Sequence, residues 1–317
     1  MTKPGPPIII SVGADDSVRP PYKEYHKGET MNLLEETKYM LKKYGMSANK
    51  GLGQNFLVDE NTVQSIVDSA NITSRDLVIE IGPGLGTLTA ALLENAGKVI
   101  AIELDDRMIP VLQDRFKLYN NFEIIHDDIL KVDLEKLITE NIANTSLQHT
   151  KIVANLPYYI TTPIIMKLLE EKLPIESITV MVQKEVAQRL TATPGKKNAG
   201  AITYSVYYYA EAHTVIDVPR ERFMPSPNVD SQVIQLSIRK EPPVQVEDET
   251  TLFELIKYAF MQRRKTLVNA LEKSTIFENK NQIISILQNL DINEKIRGEA
   301  LTMEQFSKIA NALARKD

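Results

Sequence analysis

The sequence predicts an α/β fold built on a parallel sheet, followed by a small all-α domain, and three observations carry this prediction. Short apolar runs alternate with segments of helical spacing between residues 31 and 240, which is the pattern of strands joined by crossover helices. Residues 77–86 (LVIEIGPGLG) have the pattern of a buried strand that ends in three glycines. Beyond a proline-containing linker at 240–249 the pattern is helical. We therefore expect domains at 31–240 and 241–317.

The composition is that of a globular protein and excludes several classes of function. The chain has 317 residues, of which 43% are hydrophobic, enough for about two domains with a substantial core. No run approaches the roughly 20 apolar residues of a membrane span, so we expect a cytoplasmic protein without a signal peptide. The absence of cysteine excludes disulfides, and four scattered histidines predict no metal site. With a net charge of -5, nucleic acid would be bound through local basic patches.

The segment before the predicted sheet contains a tail, a helix and a loop. Residues 1–30 contain five prolines and no helical period, which predicts a disordered extension or tail outside the fold. Residues 31–44 have amphipathic helical spacing that stops at Gly45. A polar loop at 50–57 (KGLGQNFL) leads into a helix at 60–70, with Asp59 as the expected N-cap.

The glycine-rich turn after the first predicted strand of the sheet indicates a ligand site. Gly82, Gly84 and Gly86 lie where the apolar strand gives way to helical spacing at 87–93, and glycine lets a ligand approach the main chain closely. The order is E-x-G-x-G-x-G rather than the G-x-G-x-x-G of dinucleotide sites, and Glu80 would repel a pyrophosphate. The turn therefore favours a nucleoside without a pyrophosphate.

The next predicted strand, 98–104, ends in Glu103, which is placed to accept hydrogen bonds from both hydroxyls of a ribose. Together with the glycine turn, this arrangement resembles the class I S-adenosylmethionine-dependent methyltransferases. An NAD-type fold or a purely structural turn remains the alternative.

Two adjacent aspartates follow the next helix and strand, predicted at 106–118 and 122–125. Asp127 and Asp128 lie just past the strand end, where ligands bind in an open parallel sheet and where a carboxylate can accept a hydrogen bond from an adenine amino group. The alternative is that the pair caps the helix that starts near Asp133.

The most informative tetrapeptide is Asn155-Leu156-Pro157-Tyr158, which ends the strand predicted at 151–154. It resembles the N-P-P-Y type motif of methyltransferases that act on exocyclic amino groups. The Asn155 side-chain oxygen and the Leu156 carbonyl could each accept one N–H of an amine. Pro157 stiffens the turn, and Tyr158 offers its ring to the face of a base. An ordinary strand-ending turn is the alternative.

The second half of the first domain is predicted to contain a helix at 163–173, a strand at 178–182 and further strands at 214–218 and 229–239. The tyrosine-rich segment 201–210 is expected to pack as core. A local basic cluster that could contact phosphate comprises Lys184, Arg189, Lys196 and Lys197.

A proline-rich loop at 220–227 (RERFMPSP) separates the last two strands. Its two prolines flank Ser226 and should present Phe223 rigidly. Phe223 is the candidate for a second stacking surface on a flipped adenine, opposite Tyr158.

The C-terminal domain is predicted to have helices at 252–271, 283–290 and 303–312, the last with Thr302 as its N-cap. Arg263, Arg264 and Lys265 fall inside the first of these helices and form a stripe suited to an RNA backbone. A salt-bridged helix face is the alternative.

The motifs GQNFL, EIGPGLG, ELD, NLPYY, F-x-P-x-P-x-V-x-S and QRRKTL, in this order, resemble the ribosomal RNA adenine dimethyltransferase family and most closely its small-subunit (KsgA/RsmA) branch. The resemblance covers roughly residues 31–310 and implies a Rossmann-like class I methyltransferase domain with a seven-stranded sheet. It implies that S-adenosyl-L-methionine is held by Asn55, Leu57, Gly82, Glu103, Asp128 and Asn155. It also implies RNA contacts from Lys184, Arg189, Lys196, Lys197, Arg220, Arg222, Arg263, Arg264 and Lys265.

The function implied by the resemblance is dimethylation of two adjacent adenosines in the hairpin loop near the 3' end of small-subunit rRNA, within a pre-small-subunit particle and by a monomer. One rival is a large-subunit rRNA adenine methyltransferase of the macrolide-resistance type, a group that tends to be strongly basic. A second is an NAD(P)-dependent enzyme, which Thr87 and NLPY disfavour. A third is a mainly non-catalytic factor in small-subunit assembly.

Overall fold

The computed structural model describes residues 8–11, 31–143, 145–262 and 264–314. These residues group into two compact units: the first holds the residues up to 187 together with 213–238, and the second holds 188–212 and the residues from 239 onward. The rest of the predicted extension, residues 1–7 and 12–30, lies outside the described residues, as does Arg263.

The strands of the described residues are β1 (Ile8–Ser11), β2 (Phe56–Leu57), β3 (Asp76–Ile81), β4 (Lys98–Glu103), β5 (Phe122–His126), β6 (His149–Asn155), β7 (Ser177–Gln183), β8 (Ala210–Val218), β9 (Phe223–Met224) and β10 (Ser231–Ile238). Eight of them form one sheet in the order β1-β5-β4-β3-β6-β7-β10-β8, and β2 pairs with β9. The five strands from β5 to β7 in this order are parallel. Every residue of β3 is buried, as expected for a parallel strand covered on both faces.

The helices of the described residues are α1 (Leu33–Lys43), α2 (Glu60–Ala70), α3 (Thr87–Asn95), α4 (Ile109–Phe116), α5 (Leu134–Ile142), α6 (Thr161–Glu170), α7 (Lys184–Leu190), α8 (Ala201–Tyr209), α9 (Glu249–Met261), α10 (Leu267–Leu271), α11 (Lys280–Asn289) and α12 (Met303–Ala314). The predicted cap of α2 is confirmed, because Asp59 accepts a hydrogen bond from the Thr62 N–H at 3.1 Å. None of these helices is long and apolar enough to cross a bilayer.

The sheet has one strand more than the sequence predicts. Strand β1 lies in the segment that the sequence analysis excludes from the fold, and it pairs antiparallel with β5, Ile8 opposite His126 and Ser11 opposite Glu123. Four residues are too short for a periodic signal, and their partner lies more than 100 residues away. The three isoleucines at 8–10 are the only local signal, and a short apolar run does not reveal which strand it pairs with.

Strand β3 is hydrogen-bonded to β4 on one side and to β6 on the other, so the order of the strands reverses there. The carboxyl ends of these strands flank the crevice in which open α/β sheets bind ligands. Gly86 ends the turn after β3 with a φ of 81° and serves as the N-cap of α3. A Cβ at this position would lie 2.6 Å from Cε2 of Phe116, so both the backbone conformation and the packing require glycine.

The second unit has its own core, and part of it comes from before residue 240. Tyr204 is fully buried, packs edge-on against Phe306 with ring centroids 5.1 Å apart, and donates a hydrogen bond to the Leu301 carbonyl at 2.6 Å. The prediction that segment 201–210 packs as core is therefore confirmed. The sequence predicts that 188–212 belongs to the sheet domain, whereas these residues group with the helical unit and Tyr204 and Tyr208 pack in its core.

The prediction of a single helix at 252–271 is wrong, because the chain forms two helices there, α9 and α10. Lys265 N–H donates to the Gln262 carbonyl at 2.8 Å, and the Thr266 hydroxyl caps α10 by accepting from Asn269 N–H at 3.4 Å. Both helices bury apolar residues in the same core, so the apolar spacing continues across the break. Arg264 and Lys265 are exposed in the turn rather than on a helix.

Replacing Gly86 by alanine tests the glycine turn. The added Cβ would collide with the Phe116 ring and force a non-glycine residue to a φ of 81°, so we expect the free energy of unfolding to fall by about 2 to 4 kcal/mol. Gly200→Ala is the matched control, since a Cβ there meets nothing within 4 Å. Urea denaturation of both variants measures the difference, and an equal stability of the two would contradict this account of the turn.

Candidate active site

A cleft of about 1090 Å³, part of it open to solvent, lies at the carboxyl ends of β3, β4 and β6. All six residues predicted to contact the cofactor line it: Asn55, Leu57, Gly82, Glu103, Asp128 and Asn155. The rest of the NLPY tetrapeptide, Leu156, Pro157 and Tyr158, lines the same cleft. The structure thus brings together two sets of residues that the sequence assigns to cofactor and to target base.

Glu103 joins the end of β4 to the glycine turn. Its Oε2 accepts a hydrogen bond from Gly84 N–H at 3.0 Å, and its Oε1 accepts from Leu104 N–H at 2.9 Å and Asp105 N–H at 2.8 Å. Only 6% of the residue is exposed. Burial raises the pKa of the carboxyl, and the three N–H groups act in the opposite direction. Glu103 is therefore fixed at the wall of the cleft.

Glu80 is a second carboxyl in the wall of the cleft. The residue is 1% exposed, and within the described residues its Oε2 has no hydrogen-bond partner. Burial, reinforced by the charge of Glu103, raises its pKa to about 8. A buried carboxyl without a cation at contact distance is retained most easily as the neutral acid.

Asp127 and Asp128 both line the cleft beyond β5. Asp127 Oδ1 accepts from Asp128 N–H at 2.7 Å, and Asp128 Oδ1 accepts from Leu130 N–H at 3.0 Å. Helix α5 is capped instead by Asp133, which accepts from Lys136 N–H at 3.0 Å. The structure therefore does not support the alternative that the aspartate pair caps this helix, and the acceptor role of Asp128 stays a prediction.

The polar loop ahead of α2 is attached to the cleft at several points. Gln54 Nε2 donates to Asp105 Oδ2 at 2.7 Å, beyond the end of β4. Asn155 Nδ2 donates to the Asn55 carbonyl at 3.3 Å. The loop ends in β2, which pairs with β9. A plain linker would not need these contacts, so they favour the predicted role of the loop as one wall of the cofactor site.

The NLPY turn is held in place from both sides. Leu156 N–H donates to the Met181 carbonyl at 3.1 Å, which continues the pairing of β6 with β7. The Tyr158 hydroxyl lies 2.6 Å from the Ser231 hydroxyl at the start of β10, and Ser231 is fully buried. Burial raises the pKa of Tyr158. Its ring is therefore a fixed, half-buried surface beside Asn155.

Phe223 is not brought to the cleft. It is 4% exposed, packs in the main core of the first unit and lies opposite Leu57 in the β2–β9 pair. The sequence predicts a rigidly presented ring, but the flanking prolines do not reveal that this strand pairs with β2. Stacking on a base would require the ring to leave this packed position.

The residues predicted to contact RNA lie in different surroundings. Lys184 belongs to the first unit, whereas Arg189, Lys196 and Lys197 are exposed residues of the second. Lys184 forms an ion pair with Asp217, with Nζ 3.0 Å from Oδ2. Two further basic residues of the first unit are also paired, Arg220 with Glu221 at 3.2 Å and Arg222 with Asp59 at 2.8 Å.

Sequence reasoning missed three features of the cleft. Tyr159 is 56% exposed and lines its rim, and its position directly after NLPY was the available signal. The contact of Gln54 with Asp105 joins the motifs GQNFL and ELD, and its two residues are 51 positions apart in the chain. The lack of a hydrogen-bond partner for Glu80 Oε2 within the described part of the chain could not be foreseen, because it depends on which side chains pack around this strand.

The family of the chain follows from a comparison with known proteins. The family model described as "Ribosomal RNA adenine dimethylase" matches residues 45–315. The chain belongs to this family. The match spans the cleft residues from Asn55 to Asn155 as well as the second unit, and family membership decides against the NAD-type alternative.

Named relatives of this family are similar over most of the chain. "Ribosomal RNA small subunit methyltransferase A" of Geobacillus sp. (strain WCH70) is 50% identical over 279 residues, which are 87% of this chain and 95% of the relative. The protein of the same name from Geobacillus thermodenitrificans is 51% identical over 87% of this chain and 94% of its own length. These relatives place the chain in the small-subunit branch of the family.

A solved structure supports the same fold. A dimethyladenosine transferase from Plasmodium falciparum has a TM-score of 0.66 and 28% identity, over 80% of this chain and 95% of its own. The predicted Rossmann-like class I methyltransferase fold is thereby confirmed.

Proposed function

We propose that the protein uses S-adenosyl-L-methionine to dimethylate the exocyclic amino groups of two adjacent adenosines in the 3'-terminal hairpin loop of small-subunit (16S) rRNA. The observation that carries the proposal is that the NLPY turn and the six predicted cofactor residues line the same cleft. The names of the small-subunit relatives support this choice of RNA.

The residues of the cleft fit the cofactor. A Cβ at Gly82 would meet only Pro157 Cδ at 4.0 Å, so the main chain there is open to a ligand. Glu103 offers carboxylate oxygens for ribose hydroxyls, and Asp128 offers one for the adenine amino group. Bound S-adenosyl-L-methionine would supply an electrophilic methyl group on a positively charged sulfur.

Asn155 and Leu156 prepare the target amine. An adenine amino nitrogen is a poor nucleophile because its lone pair is delocalised into the ring. The Asn155 amide donates through Nδ2 to the Asn55 carbonyl, so its oxygen is the acceptor that we assign to an N–H of the amine. With the Leu156 carbonyl as the second acceptor, the nitrogen is held pyramidal and its lone pair becomes available. The proton is lost after methyl transfer, so no general base is needed beforehand.

The base needs an aromatic surface once it leaves its stack. Tyr158, fixed through Ser231, is suited to hold one face of the adenine, and such stacking contributes about 1 to 3 kcal/mol. Phe223 could cover the other face only after a rearrangement of the β2–β9 pair, because its ring is buried in the core.

RNA contacts are proposed for the exposed basic residues of both units, acting on phosphate within a pre-small-subunit particle. Arg264 and Lys265 are exposed in the turn after α9, where their charges are not held in a helix face. We further propose that the protein acts as a monomer in the cytoplasm. A large-subunit substrate is less well supported, because the relatives that are 50% and 51% identical to this chain carry the small-subunit name.

Asn155→Ala tests the proposed chemistry. The variant loses one of the two acceptors, so we expect the single-turnover rate of methylation on immature small subunits to fall on the order of 100-fold and not to recover with added RNA. The methylation rate of Tyr158→Ala should recover partly at high RNA concentration, because the stacked ring contributes to binding of the base. Asn95→Ala, an exposed asparagine on α3, is the matched control.

The modified bases are mapped in the same experiment. Near-normal single-turnover methylation by Asn155→Ala would show that NLPY is structural here. If the unmodified protein methylates large-subunit rRNA and no small-subunit rRNA, the proposed substrate is contradicted.

A double replacement of Arg263 and Arg264 by alanine tests the RNA contacts of the second unit. Each lost phosphate contact should reduce the slope of log affinity against log salt concentration by about one unit. The control is Lys273→Ala with Lys308→Ala, which removes the same charge from exposed positions of the same unit. The same salt slope in both double variants would leave Arg263 and Arg264 as ordinary solvated residues.

A further inference from the structure

The turn after β6 carries two consecutive tyrosines that lie in different surroundings. Residues 157–160 form a β-turn, in which the Pro157 carbonyl accepts a hydrogen bond from Ile160 N–H at 3.2 Å, and Tyr158 and Tyr159 are its two middle residues. The hydroxyl of Tyr158 is engaged inside the protein, whereas Tyr159 is 56% exposed and lines the cleft. The proposed chemistry uses the first of these rings and leaves the second without a role.

The position of the Tyr159 ring is defined by the turn and by the loop ahead of α2. The Thr161 hydroxyl donates a second hydrogen bond to the Pro157 carbonyl at 3.0 Å, so the backbone around Tyr159 is held twice. A Cβ built on Gly53 of the loop would lie 3.4 Å from Cδ1 and 3.8 Å from Cε1 of Tyr159. One edge of the ring therefore lies beside the loop, while more than half of the residue is open to solvent. A ring placed in this way loses little conformational freedom when a ligand contacts it.

The part of the substrate that reaches Tyr159 can be argued from its neighbours. Leu104 is a second apolar side chain that lines the cleft and is about half exposed. It follows Glu103, the residue assigned to the ribose, so the cofactor accounts for its exposure. Tyr159 follows the tetrapeptide assigned to the target amine, so the RNA is the part of the substrate nearest to it. A tyrosine ring fits the face of a nucleobase, whereas phosphate is bound by basic side chains.

A base that leaves its stack also deprives the next base in the chain of a stacking partner. This loss is part of the cost of base flipping. An aromatic ring at the mouth of the cleft can replace the lost partner, because every base has a face that stacks on tyrosine. In the proposed substrate the next base is itself an adenine, and the larger ring of a purine stacks better than that of a pyrimidine.

We propose that Tyr159 stacks on the nucleobase next to the target adenine in the RNA chain, while Tyr158 holds the target itself. This inference rests on the proposed function and adds to it a contact that selects a purine beside the target. Tyr159 thus determines substrate binding and specificity and takes no part in methyl transfer. Because its ligand is the other adenosine of the pair, the second target is held at the mouth of the cleft while the first is modified.

Replacing Tyr159 by alanine should act on RNA binding alone. Loss of one stacked base should raise the KM for immature small subunits about 5- to 50-fold, and kcat at saturating RNA should stay unchanged. Tyr159→Phe keeps the ring and should keep the KM. Tyr39→Ala is the matched control, because it removes a tyrosine of α1 that is 45% exposed and does not line the cleft.

The decisive measurement changes the neighbouring base as well as the ring. Immature small subunits are prepared with rRNA in which one adenosine of the pair is replaced by guanosine or by uridine, so that a single target remains. The unmodified protein should prefer the guanosine neighbour by about 5-fold in kcat/KM, and Tyr159→Ala should lose this preference. Any effect of the base on the RNA fold is common to both proteins and cancels in the comparison. Replacing the first and the second adenosine in turn covers both neighbours.

Three results would overturn the role of Tyr159 and leave the proposed function intact. The first is an equal preference for guanosine in Tyr159→Ala and the unmodified protein, and the second is no preference in either protein at both positions. The third is a weaker affinity of Tyr159→Ala for S-adenosyl-L-methionine by calorimetry, which would assign the ring to the cofactor instead. A failure of the unmodified protein to methylate small subunits would contradict the proposed function as well.

Discussion

Three backbone N–H groups converge on the Glu103 carboxylate, and the rest of the cleft depends on this convergence. The donors belong to Gly84, Leu104 and Asp105, so one side chain ties the glycine turn after β3 to the end of β4. A buried carboxylate without such donors would cost several kcal/mol, whereas charge-assisted hydrogen bonds to the backbone stabilise both the charge and the loop conformation. The two strand ends are thereby held at the spacing at which a nucleoside can lie against them.

The other walls of the cleft are attached to this frame by a small number of polar contacts. Gln54 reaches Asp105 and Asn155 reaches Asn55, so the loop ahead of α2 is bound both beyond the end of β4 and at the end of β6. Tyr158 is anchored on Ser231, which fixes the ring beside Asn155. Positioning of this kind, rather than acid or base chemistry, is what methyl transfer to an amine requires from a protein.

The features that the sequence predicted are those with a local cause. Asp59 caps its helix because a side chain at that spacing reaches the N–H three residues on. The rule that ligands bind at strand ends placed Glu103, the pair Asp127 and Asp128, and Asn155 at one edge of the sheet. What the sequence did not predict depends on distant partners. Strand β1 needs β5 as its template, and Phe223 is buried because β2 covers it. The break between α9 and α10 leaves no gap in the apolar spacing, because both helices pack in the same core.

The measurement that tests the account most directly is the affinity of Glu103→Gln for S-adenosyl-L-methionine, by calorimetry on the free protein. Loss of the charge at an otherwise similar side chain should weaken binding by about 1.5 to 3 kcal/mol, which is roughly 10- to 150-fold. A thermal unfolding curve of the same variant shows whether the turn is still formed. An unchanged cofactor affinity in a folded Glu103→Gln protein would contradict the claim that this carboxylate both builds the cleft and binds the nucleoside.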